Sequence, residues 1–204
     1  MSITRITIVY VMGTIAGSVM MNMTNGEGLK LIDSGVDNSI IDLFLRESNA
    51  IENEFSEEAF EDARKAWDFA VSIASLNCFI FNDDFVIGVH RILMDRLDSW
   101  ITGGYRACRV TVGGRMCPEP VLVQPLMDDW FDDMNASIPI VKEQPHAKQY
   151  HAEKMHVRFE KIHPFEDGNG RTGRILMNIH RLLLGTLVTV IKDSEKHHYY
   201  KWFE

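Results

Sequence analysis

Cysteine is scarce in this chain, with Cys78, Cys108 and Cys117 the only three in 204 residues. Three is too few, and odd in number, for a disulfide framework, and this usage suits a reducing compartment. Cys108 and Cys117 lie close enough in sequence to face each other across a hairpin, although two ordinary half-buried thiols is the plainer expectation. Positive charge is short as well. The 21 Lys and Arg are outnumbered by 29 Asp and Glu, giving a net charge of −8 and a pI near 5.5. A nucleic-acid partner needs surplus Lys and Arg on one surface, so this balance argues against one while leaving room for a small basic pocket. Internal repeats, low-complexity tracts and Pro/Gly/Ser linkers are also missing. What is there, 46% of it apolar, fits one globular domain with a real core.

Long apolar runs are absent with one exception. From Ile6 to Met23 the chain is apolar or small, broken only by Thr7, Thr14, Ser18 and Asn22. A signal peptide would use Arg5 as a thin basic region, Ile6 onward as the apolar stretch and Ala16-Gly17-Ser18 as a small-residue cleavage site. A transmembrane helix is marginal, because the run barely reaches spanning length and contains Gly13 and Gly17. The third reading is an accessory strand or an extension from an upstream start, with Met20, Met21 and Met23 as later starts. Residues 1–30 are therefore set apart as an N-terminal extension, and 31–204 are taken as the folded domain.

Beyond residue 36 the periodicity is mostly helical. Asp37 or Asn38 can cap a helix carrying Ile40, Ile41, Phe44 and Leu45 on one face. Ser56 precedes Glu57 and Glu58, acids suited to a helix N-terminus, and Phe60, Ala63, Trp67, Ala70, Val71 and Ala74 recur at threes and fours. Asp83 or Asp84 opens a helix with Val86, Val89, Ile92 and Leu93. Pro125 and Pro145 sit where helices often begin. Two more helices are expected over His151 to Ile162 and Arg171 to Leu184, the second stopped by Gly185. One stretch differs: Tyr105 to Val112 alternates and is β-rich, with Gly103-Gly104 before it and Gly113-Gly114 after. The expected fold is mainly α, a helical bundle with one short β-hairpin flap.

The chemistry concentrates in His163-Pro164-Phe165-Glu166-Asp167-Gly168-Asn169-Gly170-Arg171-Thr172-Gly173-Arg174, which joins one expected helix to the next. Gly168 and Gly170 permit a tight turn and let backbone N–H groups approach a ligand unobstructed. Those amides and the N-terminus of the following helix form an anion hole for a phosphate. Arg171 and Arg174 are three apart, so both guanidinium groups project near that terminus and match phosphate oxygens. Asp167 is a hard oxygen ligand for Mg²⁺ held together with phosphates. His163 can be neutral near pH 7 and accept a proton from a hydroxyl. Each residue alone has an ordinary structural explanation, but a base, a metal ligand, an amide cradle and two cations are gathered in one loop.

That segment resembles the signature of the Fic family, His-Pro-Phe-x-Asp/Glu-Gly-Asn-Gly-Arg-x-x-Arg, and matches it without a departure. The resemblance runs from about Asp37 to the C-terminus. It implies a small helical fold and an adenylyltransferase that uses ATP and Mg²⁺ in the cytoplasm, where ATP is, with no membrane partner expected. By resemblance, His163 is the general base for a target Ser, Thr or Tyr hydroxyl, and Asp167 binds the Mg²⁺. Gly168, Asn169 and Gly170 cradle phosphate, Arg171 holds the β-phosphate region and Arg174 the γ-phosphate. Thr172 and Gly173 complete the nucleotide-binding stretch.

Three further features fit the same family. The stretch 105–114 resembles the flap that lies over the nucleotide and pairs edgewise with a segment of the target protein, with Val110, Thr111, Val112 and Gly113 at the positions that line the nucleotide. Tyr199-Tyr200 match a Tyr pair near the nucleotide in relatives; read alone, they belong to a C-terminal helix packing with Trp202 and Phe203. Ser48-Asn49-Ala50-Ile51-Glu52-Asn53 fits the family's inhibitory pattern Ser/Thr-x-x-x-Glu-Gly/Asn on a helix over about 37–53. By resemblance, Ser48 and Glu52 form a brake, Glu52 pairing with Arg174 in place of the γ-phosphate. His90 and His156 read as structural, and His197-His198 lack companion ligands for zinc. Rival readings are the same fold with other chemistry (removal of AMP, or transfer of UMP, phosphocholine or phosphate), a non-catalytic nucleotide-binding regulator, and a metal-dependent phosphohydrolase. The target and the oligomeric state are left open.

Overall fold

The structure is a computed structural model that describes residues 37–96 and 103–204. The apolar run of residues 6–23 lies outside the described residues. Seven α-helices are present among those described: α1 (Asn38–Ile51), α2 (Glu57–Ala74), α3 (Asp83–Leu93), α4 (Val123–Val141), α5 (Lys148–Ile162), α6 (Asn169–Leu183) and α7 (Lys196–Tyr200). A two-stranded antiparallel ribbon, β1 (Thr111–Val112) and β2 (Arg115–Met116), separates α3 from α4. No helix of the described residues is long and apolar enough to cross a membrane.

The helix starts follow their side chains. Asp37 accepts a hydrogen bond from the Ser39 N–H, Ser56 from Ala59 and Asn82 from Phe85, each satisfying a donor that the first turn leaves open. Asn82 is thus the cap of α3, and Asp83 and Asp84 form its acidic first turn. Pro125 lies in the first turn of α4. Pro145 falls in the turn before α5, which begins three residues later. The expected helix over His151–Ile162 begins earlier, at Lys148, and α6 begins at Asn169 rather than Arg171.

The core is shared by α1 to α6 and centres on Trp130, Phe159, Phe81 and Phe85. Phe81, Phe79 and Phe85 meet edge to face, and Phe81 meets Trp130 the same way at 5.7 Å. Asn135 locks Phe81 from both sides, accepting from its N–H at 2.8 Å and donating to its carbonyl at 2.9 Å. On α1 the inward face is Ile41, Phe44 and Leu45, while Ile40 is exposed. α5 and α6 pack side by side along this core, and the loop between them is the segment 163–168. The fold therefore places that loop at one end of a rigid helix pair.

The β-rich stretch is shorter than its sequence pattern suggests. The ribbon spans only 111–116, turning at Gly113 and Gly114, which adopt φ of +56° and +78°. Tyr105 to Val110 is not a strand. Tyr105 packs on the core and donates its hydroxyl to Asp83 at 2.5 Å, and Arg106 is buried. Side chains drawn into the protein compete with the ladder and win there. Cys108 is exposed and Cys117 buried, both as free thiols, so neither is the half-buried thiol expected.

Two buried histidines are expected to make the fold acid-sensitive. Burial, then the nearby Arg174 charge, lowers His156 to about 3, and burial, then His151, lowers His180 to about 3. Both lie below the ordinary value near 6.5, so their contribution is complete above pH 6.5 and is lost as pH falls towards 3. The midpoint of thermal unfolding is expected to drop steadily between pH 6.5 and 4. A midpoint that stays level over that range would contradict this assignment.

Candidate active site

His163 ends α5 in the left-handed conformation, at φ +52° and ψ +64°. That conformation is uncommon for a residue with a side chain and turns the backbone sharply out of the helix. Pro164 then stops further helical extension. Phe165 is fully buried, stacked on His90 with ring centroids 3.7 Å apart and contacting Tyr105 and Phe159. The loop is thus anchored by a buried ring between its two helix ends.

Asn169 closes the loop. Its amide oxygen accepts from the Phe165 N–H and its amide nitrogen donates to the Phe165 carbonyl, both at 2.9 Å. The side chain of Asn169 is thereby occupied, so what Asn169 offers a phosphate is its backbone amide. His90 holds the other side, its Nε2 lying 3.0 Å from the Asp167 carbonyl. Burial is the main cause that lowers His90 to about 4, so the ring is neutral at pH 7 and Nε2 carries the proton it donates to that carbonyl. Gly168, at φ +74°, lies against Met94, whose Sδ would be 2.6 Å from an added Cβ.

The N-terminus of α6 opens beside this turn, with Asn169, Gly170 and Arg171 as its first residues. Arg174 is 1% exposed and bonded through all three of its side-chain nitrogens. Its Nε donates to Ser48 Oγ at 2.9 Å, and its Nη2 donates to the Ser48 carbonyl at 2.8 Å and to Glu52 Oε1 at 2.7 Å. Its Nη1 lies 3.3 Å from the Tyr199 hydroxyl. Glu52 is the C-cap of α1, and Asn53 after it adopts φ +59°, a conformation that Asn and Gly tolerate. The Glu52 carboxylate also lies against Gly170: a Cβ there would collide with it. A negative group thus sits at the N-terminus of α6, beside the guanidinium and within the field of the helix.

His163 is partly buried, and burial followed by the positive charge of Arg106 lowers its pKa, so the ring is neutral at pH 7. The carbonyl of Glu160 and the charge of Asp167 act in the opposite direction, and Arg115 of β2 acts with Arg106. Asp167 is exposed, and its Oδ1 accepts from the Gly168 N–H at 2.6 Å. Among the described residues no group of three or more His, Cys, Asp or Glu gathers as a metal site. One exposed carboxylate next to a phosphate cradle is nonetheless the donor set that Mg²⁺ shares with nucleotide phosphates.

Not every expected site residue faces a ligand. Tyr199 is 3% exposed, behind Arg174, with its hydroxyl 2.8 Å from His156 Nε2. Because a guanidinium only donates, the Tyr199 oxygen accepts from it and its proton is available to neutral His156. Tyr199 is therefore a buried support for Arg174, corrected from a nucleotide-facing position, and exposed Tyr200 is the one of the pair open to a ligand. Thr172 is fully buried, and Gly173 packs against Glu160, His156 and Phe159 of α5, so both line the helix contact instead of the opening. Thr111, Val112 and Gly113 are exposed and Val110 is partly so.

Sequence reading missed Arg106, His90 as a loop anchor, and Glu160. Burial raises the Glu160 carboxyl to about 8, and its Oε1 is buried without a hydrogen-bond partner among the described residues. Glu160 stands three residues before His163, and its backbone carbonyl acts on the His163 ring. Arg106 gave one signal, a charge within an otherwise β-rich stretch.

Comparisons with known proteins place this arrangement. The Fic/DOC family model matches residues 80–180. The chain is 31% identical over 133 residues to "Protein adenylyltransferase Fic" of Aedes aegypti, covering 65% of this chain and 26% of that protein. It is 31% identical over 119 residues to the protein of the same name from Nematostella vectensis, covering 58% and 27%. The chain thus spans about a quarter of the length of these curated relatives. The fold resembles a Fic domain containing signaling protein from Bacteroides thetaiotaomicron, with a TM-score of 0.68 at 23% identity over 80% of this chain and 70% of that one. It also resembles Fic-1 of C. elegans, with a TM-score of 0.63 at 20% identity over 88% and 58%. The unbroken loop signature, the helical fold and these matches agree: this chain carries a domain of the Fic/DOC family.

Proposed function

We propose that this domain transfers AMP from ATP to a Ser, Thr or Tyr hydroxyl of a target protein, and that Glu52 restrains the transfer. The observation that carries this reading is the short loop that runs from His163 at the end of α5 into the N-terminus of α6 at Gly168–Gly170, with Glu52 seated against both Gly170 and Arg174. The names of the curated relatives, which state protein adenylyltransferase, support it at family level.

In the proposed reaction the phosphate chain of ATP lies on the α6 N-terminus, where backbone amides and Arg171 match its charge. The hydroxyl oxygen attacks the α-phosphorus, the bond from that phosphorus to the bridging oxygen breaks, and pyrophosphate leaves. His163 takes the hydroxyl proton; its Nδ1 is buried, so Nε2 is the nitrogen available to the substrate. Catalysis then rests on placement and on charge already fixed in position. Mg²⁺ would be held by Asp167 together with phosphate oxygens, and when bound would offset the charge of the leaving pyrophosphate. The exposed ribbon at 111–116 offers an edge along which a target segment can lie.

The brake follows from competition for one guanidinium. A γ-phosphate reaching for Arg174 meets a carboxylate already bonded to it, so ATP binds with its chain displaced and the α-phosphorus out of line. A second reading has its own observation: Glu52 against Gly170 is placed to orient a water for removal of AMP from a modified protein. The test is to incubate the wild-type chain with each labelled nucleoside triphosphate and to find adducts by intact-mass and peptide mass spectrometry. An increase matching one AMP supports transfer. Hydrolysis of ATP with no adduct on the chain or on proteins of an added lysate, or release of AMP from modified protein, would turn the assignment towards the second reading.

A further inference from the structure

Arg106 is 3% exposed, and its charge is met by carbonyl oxygens from three separate pieces of chain. Its Nε donates to the His163 carbonyl at 2.7 Å, and its Nη2 donates to the Pro118 carbonyl at 2.7 Å and to that of Ile162 at 3.3 Å. Its Nη1 donates to the Cys108 carbonyl at 2.9 Å, and its own backbone N–H donates to the Pro164 carbonyl at 2.8 Å. We propose that Arg106 is the positioning residue of the site: one guanidinium joins the root of the flap to the end of α5, setting together the backbone of His163 and the edge on which a target lies. This rests on the adenylyl-transfer reading of the site.

The physical case begins at α5. Its last carbonyls, Ile162 and His163, have no partner within the helix, and a buried carbonyl without one is costly. A cation at a helix C-terminus is also favoured by the helix dipole. Arg106 meets both needs while His163 holds its left-handed φ of +52°. At the same time Cys108 and Pro118 flank the ribbon, so the guanidinium ties both of its legs to the same point. Between them the Cys117 N–H donates to the Val110 carbonyl at 3.1 Å, closing the neck of the flap. The flap and the base are therefore not positioned independently. Lysine cannot substitute, because a single ammonium lacks the planar fork that reaches several fixed acceptors. The charge of Arg106 also bears on the His163 ring, lowering its pKa, whereas the hydrogen bonds bear on its place.

The experiment separates the two contributions. Arg106→Met and Arg106→Lys are made in the wild-type chain and in a Glu52→Gly background, and three quantities are read: ATP affinity, AMP incorporation, and the titration of the His163 ring by NMR. ATP affinity is expected to stay within about threefold, while the rate of incorporation falls by about 10–100-fold in both variants, since a shift near 1 Å in a reacting group costs on that order. The His163 titration is expected to move upward in Arg106→Met and to remain near its original position in Arg106→Lys, which keeps the charge. Incorporation at the parent rate in both variants would overturn the proposal, as would ATP binding lost in step with incorporation. If the parent itself incorporates no AMP, the reading of the function fails, and the backbone amide resonances still decide the coupling: residues 108–118 and 162–165 all left at their parent positions in Arg106→Lys would overturn it. If the Met variant does not fold, the Lys variant carries the test through its rate alone.

Discussion

Glu52→Gly is expected to raise AMP incorporation about tenfold, and His163→Ala in that background to reduce it by about 100–10,000-fold, the range a general base contributes. The first figure comes from the bond that is lost. A hydrogen bond to a charged partner contributes about 1.5–3 kcal/mol, and about 1.4 kcal/mol changes an equilibrium tenfold. The lower end applies because the Glu52 side chain keeps 37% of its surface in water, which screens the pair, whereas that of Arg174 keeps 2%. Glu52 ends α1 as its cap residue, at φ −91°, so glycine fits there without strain. Arg174 keeps its two bonds to Ser48 and its contact with Tyr199, and remains aimed at the phosphate site. The measurement is incorporation of labelled AMP over time for wild type, Glu52→Gly and the double variant. Equal rates for wild type and Glu52→Gly would remove the brake from the account, and persistent incorporation without His163 would remove the base.

Phe165→Ala is expected to destabilise the domain by about 3–5 kcal/mol, the usual cost of deleting a buried phenyl ring. The upper part of that range is favoured because the site cannot collapse onto the gap. Phe165 is fully buried and is flanked by His90 in parallel stacking, by Tyr105, and by Phe159, each fixed by other contacts. Its backbone is bonded on both sides to Asn169, so the chain cannot slide inward to fill the void. The consequence reaches the chemistry, because the same ring lies between the base at 163 and the carboxylate at 167. Urea unfolding followed by circular dichroism measures the loss; Phe165→Leu, which keeps more of the volume, is expected to lose less. A loss below about 1 kcal/mol for Phe165→Ala would show that the loop is held by its hydrogen bonds alone.

Much of the fold was legible in the residues because its causes are local. Asp37 and Ser56 cap helices through bonds to residues two and three positions away, and the faces of α1, α2 and α3 follow from apolar spacing. The hairpin was overextended for the converse reason: alternation over Tyr105 to Val112 describes a strand, yet Tyr105 and Arg106 find better partners in Asp83 and the end of α5. The tyrosine pair shows the same limit. Two adjacent tyrosines look equivalent in sequence, but one is under Arg174 and the other in solvent.

By itself the sequence determined the chemical inventory of the loop from His163 to Arg174, since its base, turn glycines and guanidinium groups lie within twelve consecutive residues around a helix start. It also carried the pattern around Ser48 and Glu52. Only the tertiary structure decided that Glu52 reaches Arg174 across 122 positions, that Asn169 closes the loop with its side chain, and that Arg106 joins the flap to α5. Capping and periodicity depend on neighbours a few residues away, so they can be read along the chain. A contact between distant residues depends on which helix faces pack together, and that is settled by burial of the whole apolar surface at once.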